Sequence, residues 1–220
     1  MLKKEEINRK LLHLFALAMP IGIFYIPRIE WVSLWVPPIV LFFLFGASLL
    51  LEVLRFRYPN TRALFLKYFQ FLLRKNERRN FTGATYLIGG AALSSLVFVH
   101  APHISFVMLT LFILGDAMAA IVGQSLGRIR FLGKTVEGSL ACLLTCILLF
   151  SLLFPRIPLL FETWGHPVSW AYMLGTSFLI TLLELIPVKI TRNRYLNDNL
   201  YVPIATGLIM EGLYRLFSLI

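Results

Sequence analysis

An aspartate within an apolar run is the first feature of this chain that indicates chemistry. An ionised carboxylate at membrane depth, such as that of Asp116, costs roughly 2.5 to 3.5 kcal/mol on insertion scales, so it needs a partner, a watery cavity or a function. Around it, Gly115, Ala119, Gly123 and Gly127 recur every four residues, which places them on one helical face. The segment therefore predicts either a helix-packing face with Asp116 in an ion pair or a site where Asp116 binds Mg²⁺ or accepts a proton.

The loop that follows adds positive charge beside glycines. Gly133 and Gly138 flank Lys134, Thr135 and Glu137. An ammonium group can bind phosphate while backbone N–H groups near glycine approach it closely, and Glu137 could supply a second metal-binding carboxylate. A basic loop with chance glycines would have the same composition, so this loop has chemical meaning only together with other groups.

Two further polar groups lie at the ends of other apolar runs. Glu184 lies near the end of the sixth run and is followed by a loop with both signs of charge, and a basic group with a histidine stands at the start of the first run. Their members are Arg192, Asn197, Asp198 and Asn199 in the loop, and Arg9, Lys10 and His13 at the first run. A solvated turn and topological anchoring are the alternative interpretations. Taken together, the carboxylates and cations are suited to chemistry on a phosphate bound with a divalent metal.

Composition places these groups in a membrane protein. The 220 residues are 58% hydrophobic and only 15% charged, with a mean hydropathy of +0.78. The net charge of +10 would suit nucleic acid, but the lysines and arginines gather in alternate loops, as membrane topology requires. We therefore expect a lipid bilayer as partner and no nucleic acid. Cys142 and Cys146 lie four apart on one helical face and are predicted to be packing residues.

Seven apolar runs predict an all-α, polytopic membrane bundle that forms a single domain over 1–220. The runs cover about 11–27, 31–54, 84–100, 104–126, 139–154, 168–188 and 200–219. With the N-terminus in the cytoplasm, all lysines and arginines except Arg28, Arg156 and Arg215 fall on the cytoplasmic side. The candidate site then faces the cytoplasm.

Residues 61–79 separate the second and third runs and have a different pattern. Apolar and basic residues recur there at helical spacing, which predicts an amphipathic helix in the cytoplasmic interface. Glu52 and Arg55, three apart at the end of the second run, predict an intrahelical ion pair.

The set of motifs resembles the CTP-dependent lipid-alcohol kinases, the family that includes dolichol kinase, phytol kinase and the fungal-type diacylglycerol kinase. The resemblance covers most of the chain and rests on several stretches in the family's order. They are Arg9-Lys10 with His13, Gly115-Asp116-Ala117 with Ala119-Ala120 and Gly123, Gly127, Lys134 to Ser139, and Asp198-Asn199-Leu200 with Pro203. The chain lacks the additional N-terminal spans of the larger members, so its size is closer to that of the phytol and diacylglycerol kinases.

The resemblance implies transfer of the γ-phosphate of CTP to a membrane lipid alcohol with Mg²⁺ or another divalent cation. Within the matching motifs we assign Lys134 to the CTP phosphates, Asp116 and Glu137 to metal, and Asp198 to metal or to the lipid hydroxyl as base. The remaining candidates for binding CTP are Arg9, Lys10, His13, Gly115, Gly123, Gly127, Thr135, Gly138, Glu184, Arg192 and Asn199.

Two other functions compete with a lipid kinase. A CTP-dependent cytidylyltransferase that makes a CDP-lipid has a similar Gly-Asp motif and Lys-Thr-x-Glu-Gly loop, but its glycine- and histidine-containing C-terminal segment has no counterpart around residues 192–200. A transporter would use Asp116 and Glu184 as an ion relay, yet no internal repeat is evident. The membrane would be the inner membrane of a bacterium, or the endoplasmic reticulum or plastid membrane of a eukaryote. The small-residue face could pack within one chain or between two copies.

Overall fold

The computed structural model describes residues 13–73, 75–162, 168–191 and 194–218. The predicted site residues Arg9, Lys10 and Arg192 lie outside the described residues. In the described part, the helices are α1 (Ala18–Tyr25), α2 (Val36–Arg57), α3 (Pro59–Phe69), α4 (Gly83–Val97), α5 (Pro102–Ser125), α6 (Val136–Leu148), α7 (Trp170–Leu185) and α8 (Asp198–Ser218). Four short strands accompany them: β1 (Arg130–Phe131), β2 (Lys134–Thr135), β3 (Lys189–Thr191) and β4 (Arg194–Tyr195).

Each of the seven apolar runs contains a helix, but the helices differ in their capacity to cross a membrane. Three described helical segments are long and apolar enough by themselves: Val36–Arg57, Pro102–Ser125 and Val136–Arg156, the last being α6 with its π- and 3₁₀-helical continuation. The apolar helices His13–Arg28, Gly83–Val97 and Trp170–Leu185 are shorter. Helix α8 is long, but it carries Asp198, Glu211 and Arg215 and is not among these apolar helices. The three long apolar segments are therefore compatible with a membrane protein, and the presence of seven membrane spans stays a prediction.

Helix α5 forms the centre of the bundle. It packs against α1, α4, α6, α7 and α8, and Ile104, Met108 and Leu111 are completely buried. Pro102 occupies the first turn, where its missing N–H costs no helical hydrogen bond. Because Asp116 lies in the second half of this helix, its position places a carboxylate toward the end of the bundle core.

Helix α2 lies at the periphery, and its outer surface is apolar. Ile39, Phe43 and Leu50 are between 60% and 76% exposed. In water such a surface would be unfavourable, whereas in contact with lipid it has no desolvation cost. The distribution of exposed side chains therefore agrees with a helix that faces a bilayer.

The predicted amphipathic helix over 61–79 has different bounds in the structure. Helix α3 begins at Pro59 and ends at Phe69, and short 3₁₀ turns follow it. The helix stops because residues 77–80 are held against the end of α2, where the Arg55 guanidinium donates to the Glu77 and Asn80 carbonyl oxygens at 3.0 and 2.7 Å. A helix continued to residue 79 would carry these carbonyls away from Arg55.

Two β-hairpins are absent from the all-α prediction. The antiparallel pair β1–β2 connects α5 to α6, and the antiparallel pair β3–β4 connects α7 to α8. Strands of two or three residues leave no alternating pattern that could be recognised in the sequence. The hairpins have a clear effect on the fold, because each returns the chain at the same end of the bundle and starts the next helix there.

Candidate functional site

A polar cavity of about 860 Å³ lies at the end of the bundle where the two hairpins meet. Its walls come from the last turns of α5, the β1–β2 hairpin, the start of α6, the end of α7, the start of α8 and the segment before α4. The predicted site residues that line it are His13, Asp116, Gly123, Gly127, Lys134, Thr135, Gly138, Glu184, Asp198 and Asn199. Residues far apart in the chain thus share one cavity.

Lys134 connects two parts of the bundle, the first formed by α5, the β1–β2 hairpin and α6, and the second by α7, the β3–β4 hairpin and α8. Its Nζ donates to Glu184 Oε1 and to Asp198 Oδ2, both at 2.8 Å, and also to the Glu184 carbonyl oxygen. The Glu184 side chain is 7% exposed, whereas those of Lys134 and Asp198 are 28% and 34% exposed. The cluster is therefore partly shielded from water and still accessible from the cavity.

The hairpin turn determines where Lys134 begins its strand. Leu132 and Gly133 form the connection, and their φ angles are +49° and +87°. Two positive φ angles are characteristic of the tight turn that matches the twist of a two-stranded hairpin. Gly133 adopts this conformation without steric cost, and the strand returns directly at Lys134.

The charge state of Lys134 follows from its surroundings. Burial by itself lowers the pKa of Lys134, but the Glu184 and Asp198 carboxylates outweigh burial, and the net pKa is raised. The ammonium is therefore present at neutral pH. Because the folded-state pKa exceeds that of the unfolded chain, this stabilisation is complete below the unfolded-state pKa and is lost only as the pH rises through the raised value.

His13 and Asp116 form a second polar pair in the cavity. His13 Nε2 lies 3.3 Å from Asp116 Oδ2, and the two side chains are 12% and 26% exposed. The His13 ring also makes an edge contact with Phe112, which limits its orientation. Asp116 therefore lies against a solvent-accessible cavity and not in a dry helix contact.

The glycine face around Asp116 serves mainly for close packing between α5 and α6. A Cβ on Gly115 would lie 2.9 Å from Cys142 Sγ, and one on Gly123 would lie 2.5 Å from Thr135 Oγ1. Gly115 lies outside the cavity, and both cysteines are buried and free. The small-residue face thus packs within one chain. The glycines of this segment thus pack closely while Asp116 faces the cavity, and binding of Mg²⁺ or of a proton by Asp116 stays a prediction.

Substitution of Gly138 tests this close approach. A Cβ there would lie 2.6 Å from the Ala119 carbonyl oxygen, a backbone atom that cannot move aside easily. We expect Gly138→Ala to destabilise the protein by about 1–3 kcal/mol. Gly175→Ala is the control, because its Cβ would meet nothing within 4 Å. Thermal unfolding in detergent compares the two, and equal stabilities would contradict close packing at Gly138.

Glu137 contacts the backbone of the β1–β2 hairpin, and its role as a metal ligand stays a prediction. It does not line the cavity, and its Oε1 accepts hydrogen bonds from the Arg128 and Ile129 N–H groups at 2.9 and 3.1 Å. The carboxylate thus stabilises the start of the hairpin. Asn199 lines the cavity, and its Nδ2 donates to the Gly83 carbonyl oxygen at 2.8 Å, joining α8 to the start of α4.

Several residues of the cavity were not among the predicted site residues. They are chiefly Glu77, Gln124, Arg130 and Tyr195. Glu77 Oε1 accepts from the Gly83 N–H at 2.8 Å and so caps the start of α4. In the sequence, Glu77 is an isolated acid among basic residues, and this pattern could have marked it as a candidate. Nothing in the sequence indicates that residues 77 and 198 are near the same cavity.

A buried ion pair holds the segment that carries Glu77. Arg55 Nε donates to Glu52 Oε2 at 2.5 Å, and the two residues are 1% and 2% exposed. The predicted intrahelical pair is thus confirmed. The other Glu52 oxygen accepts from the Thr82 N–H at 3.0 Å and from Thr85 Oγ1 at 3.2 Å. The pair is therefore part of a network that joins α2 to the start of α4.

Arg55→Met tests the importance of this network. It removes the guanidinium and leaves Glu52 as an uncompensated buried charge, so we expect a loss of about 3–5 kcal/mol in unfolding free energy. The control is Arg215→Met, which breaks an i,i+4 pair whose arginine side chain is 75% exposed and should cost under about 1 kcal/mol. Denaturation in detergent measures both losses. Equal losses would contradict the larger contribution that we expect from the buried pair.

The charges around the cavity favour a cation or a ligand that brings one. Glu77, Asp116, Glu184 and Asp198 face Arg130 and Lys134, so acids exceed lysine and arginine among the described lining residues. A bare polyphosphate would be repelled by this excess. The same excess favours a phosphate that enters together with divalent cations.

The donor set fits magnesium only as a complex with phosphate. The described residues contain no group of three His, Cys, Asp or Glu side chains that could hold a metal ion. Mg²⁺, however, is commonly bound by one or two carboxylates, with water and substrate phosphates as its other ligands. Asp116 and Asp198 both line the cavity. These two carboxylates would hold such an ion.

These features define a class of protein: a mostly helical chain with apolar helices that can cross a membrane and a charged cavity at one end of the bundle. No family model and no solved structure matches the chain. It is 24% identical over 209 residues to an uncharacterized protein of Rickettsia prowazekii, covering 91% of this chain and 90% of the relative. It is 27% identical over 148 residues to an uncharacterized protein of Methanocaldococcus jannaschii, covering 67% of each.

Proposed function

We propose that this protein is a CTP-dependent kinase that transfers the γ-phosphate of CTP to the hydroxyl of a membrane lipid alcohol. The acceptor would be a polyprenol, a phytol-like alcohol or diacylglycerol. The observation that carries the proposal is the convergence of Asp116, Lys134, Glu184 and Asp198 on one cavity at the end of an apolar bundle. The motif resemblance described above supplies the choice of CTP and of a lipid alcohol.

Lys134 would bind the transferred phosphate. Its ammonium is held by two carboxylates, so binding a phosphate requires it to exchange at least one of these partners for phosphate oxygen. A flexible side chain with three donors can make this exchange while its backbone stays in β2. The positive charge would then stabilise the negative oxygens as the phosphate is transferred.

A carboxylate near the acceptor hydroxyl would remove its proton. Asp116 and Asp198 both line the cavity and are 26% and 34% exposed, so both are accessible. His13 beside Asp116 would orient that carboxylate. Magnesium, when bound with the nucleotide, would neutralise charge on the phosphates. Asp116 and Asp198 would supply its protein ligands.

The bundle would present this cavity at the cytoplasmic surface of a membrane. In the proposed topology, seven helices cross the bilayer with the N-terminus in the cytoplasm, and α3 lies in the interface. CTP would enter from the cytoplasm, and the lipid hydroxyl would enter from the inner leaflet. Scarcity of water beside the bilayer would favour transfer to the lipid over hydrolysis. In a bacterium that membrane would be the inner membrane, and in a eukaryote it would be the endoplasmic reticulum or plastid membrane.

Product analysis tests the proposal directly. Purified protein in lipid nanodiscs is incubated with Mg²⁺ and each of CTP, ATP, GTP and UTP, together with phytol, a polyprenol or diacylglycerol. Mass spectrometry should detect a lipid monophosphate and CDP, most strongly with CTP. Phosphatidate is offered as a further acceptor, and its conversion to a CDP-lipid with release of pyrophosphate would instead identify a cytidylyltransferase. If no lipid product forms with any nucleotide, both the kinase and the cytidylyltransferase hypotheses are contradicted.

A further inference from the structure

The connection between the candidate spans Pro102–Ser125 and Val136–Arg156 carries a cluster of exposed apolar side chains. Leu126, Ile129, Phe131 and Leu132 are 67%, 62%, 53% and 52% exposed, and we refer to them as the apolar tip. Four large hydrophobic residues within seven positions would be costly on a surface in water. From their position and charge we infer that the β1–β2 hairpin inserts this apolar tip into the interface of a membrane leaflet containing anionic phospholipids.

Position is the first argument for a bilayer as the occupant. The hairpin lies between Pro102–Ser125 and Val136–Arg156, two of the three described segments able to cross a membrane. The end of one span and the start of the next must both lie near the membrane surface. Only residues 126–135 join them, and they fold back as a tight hairpin, so the apolar tip remains near the headgroups.

Charge is the second argument, and it indicates the kind of lipid. The side chains of Arg128 and Arg130 are exposed within the same segment, and residues 126–135 contain no aspartate or glutamate. The carboxylate of Glu137 lies at the base of the hairpin, where it binds the Arg128 and Ile129 N–H groups. Apolar side chains interleaved with basic ones are typical of segments that lie in the membrane interface. Basic residues at this depth are attracted to anionic headgroups.

The backbone at the apolar tip supports the same conclusion. Leu132 has a φ of +49°, and turns of this kind favour asparagine or glycine at that position. A leucine is disfavoured there by its own Cβ, and the rest of the chain leaves 52% of its surface exposed. Contact with lipid would provide the burial that the chain itself does not.

Site-directed spin labelling tests the insertion. Leu132→Cys is labelled with a nitroxide in nanodiscs of phosphatidylglycerol and phosphatidylcholine, and collisions with oxygen and with a water-soluble nickel chelate are measured. Lys189→Cys, at an exposed position of the other hairpin, is the matched control. Both native cysteines are buried, so the parent protein treated in the same way supplies the background.

We expect the ratio of oxygen to nickel collisions to be several-fold higher at residue 132 than at residue 189. Equal nickel access at both positions would overturn the inference by showing that the apolar tip is in water. Exclusion of both probes from residue 132 would overturn it as well, because protein would then cover the apolar tip. Neither result depends on catalytic activity, so the inference can fail independently of the proposed kinase function.

The lipid preference has its own test. Arg128→Gln removes an exposed cation next to the apolar tip while retaining its backbone N–H for the bond to Glu137. In nanodiscs containing phosphatidylglycerol this change should lower the oxygen-to-nickel ratio measured at residue 132. In phosphatidylcholine alone it should have little effect. An equal decrease in both lipids would overturn the anionic preference.

Discussion

Lys134→Met is expected to reduce phosphoryl transfer by about 10²- to 10³-fold, because it removes the one ammonium group that the described residues place in the cavity. Methionine retains most of the side-chain volume. The variant should also lose about 1–3 kcal/mol of stability, since the nearly buried Glu184 carboxylate loses its charged donor. Initial rates with CTP and a lipid acceptor measure the first effect, and unfolding in detergent measures the second.

A double variant separates the two roles of Lys134. Adding Glu184→Gln to Lys134→Met removes the buried charge that the single variant leaves without its partner. We expect the double variant to recover much of the lost stability. Its transfer rate should remain low, because the cation for the phosphate is still missing. Recovery of both properties would mean that Lys134 is structural and that another group binds the phosphate.

Asp116→Asn is expected to reduce lipid phosphorylation by about 10²- to 10⁴-fold while the protein remains folded. Asparagine has nearly the shape of aspartate, so the change mainly removes the charge that lies 3.3 Å from His13 Nε2. Mass-spectrometric measurement of the lipid monophosphate gives the rate. Near-normal turnover would remove Asp116 from the mechanism.

Two other carboxylates serve as comparisons for Asp116. Glu211 lies near the far end of α8, away from the cavity, so Glu211→Gln should leave the rate nearly unchanged. Glu137→Gln tests the predicted metal role of that residue. Since Glu137 lies outside the cavity and glutamine still offers an oxygen to the Arg128 N–H, we expect a small effect. A loss as large as that of Asp116→Asn would indicate that Glu137 reaches the nucleotide when it binds.

Some structural features follow directly from local sequence. Hydropathy predicts where apolar helices occur because the energetic cost of placing a residue in lipid depends mainly on its own side chain. The pairing of Glu52 with Arg55 was likewise predictable, since residues three apart share a helical face. The four-residue spacing from Gly115 to Gly127 correctly predicted a closely packed face, although its partner could not be identified.

Other features depend on contacts between distant parts of the chain. The early end of α3 results from Arg55 holding residues 77–80, which helical periodicity within 61–79 does not reveal. The role of Glu137 depends on the conformation of the loop at Arg128, and short hairpins leave no periodic pattern. Local composition is thus compatible with several structures at these positions, and tertiary contacts select one.

By itself, the sequence determined an apolar helical chain whose few polar residues cluster near helix ends, because the cost of burying a charge is a property of each residue. Only the tertiary structure decided which of those residues meet. Lys134 could have been a solvated loop lysine, yet both hairpins return the chain at one end of the bundle and bring Glu184 and Asp198 within 2.8 Å of its Nζ. Such pairings depend on how helices and turns are arranged in space, and spacing along the chain does not encode them.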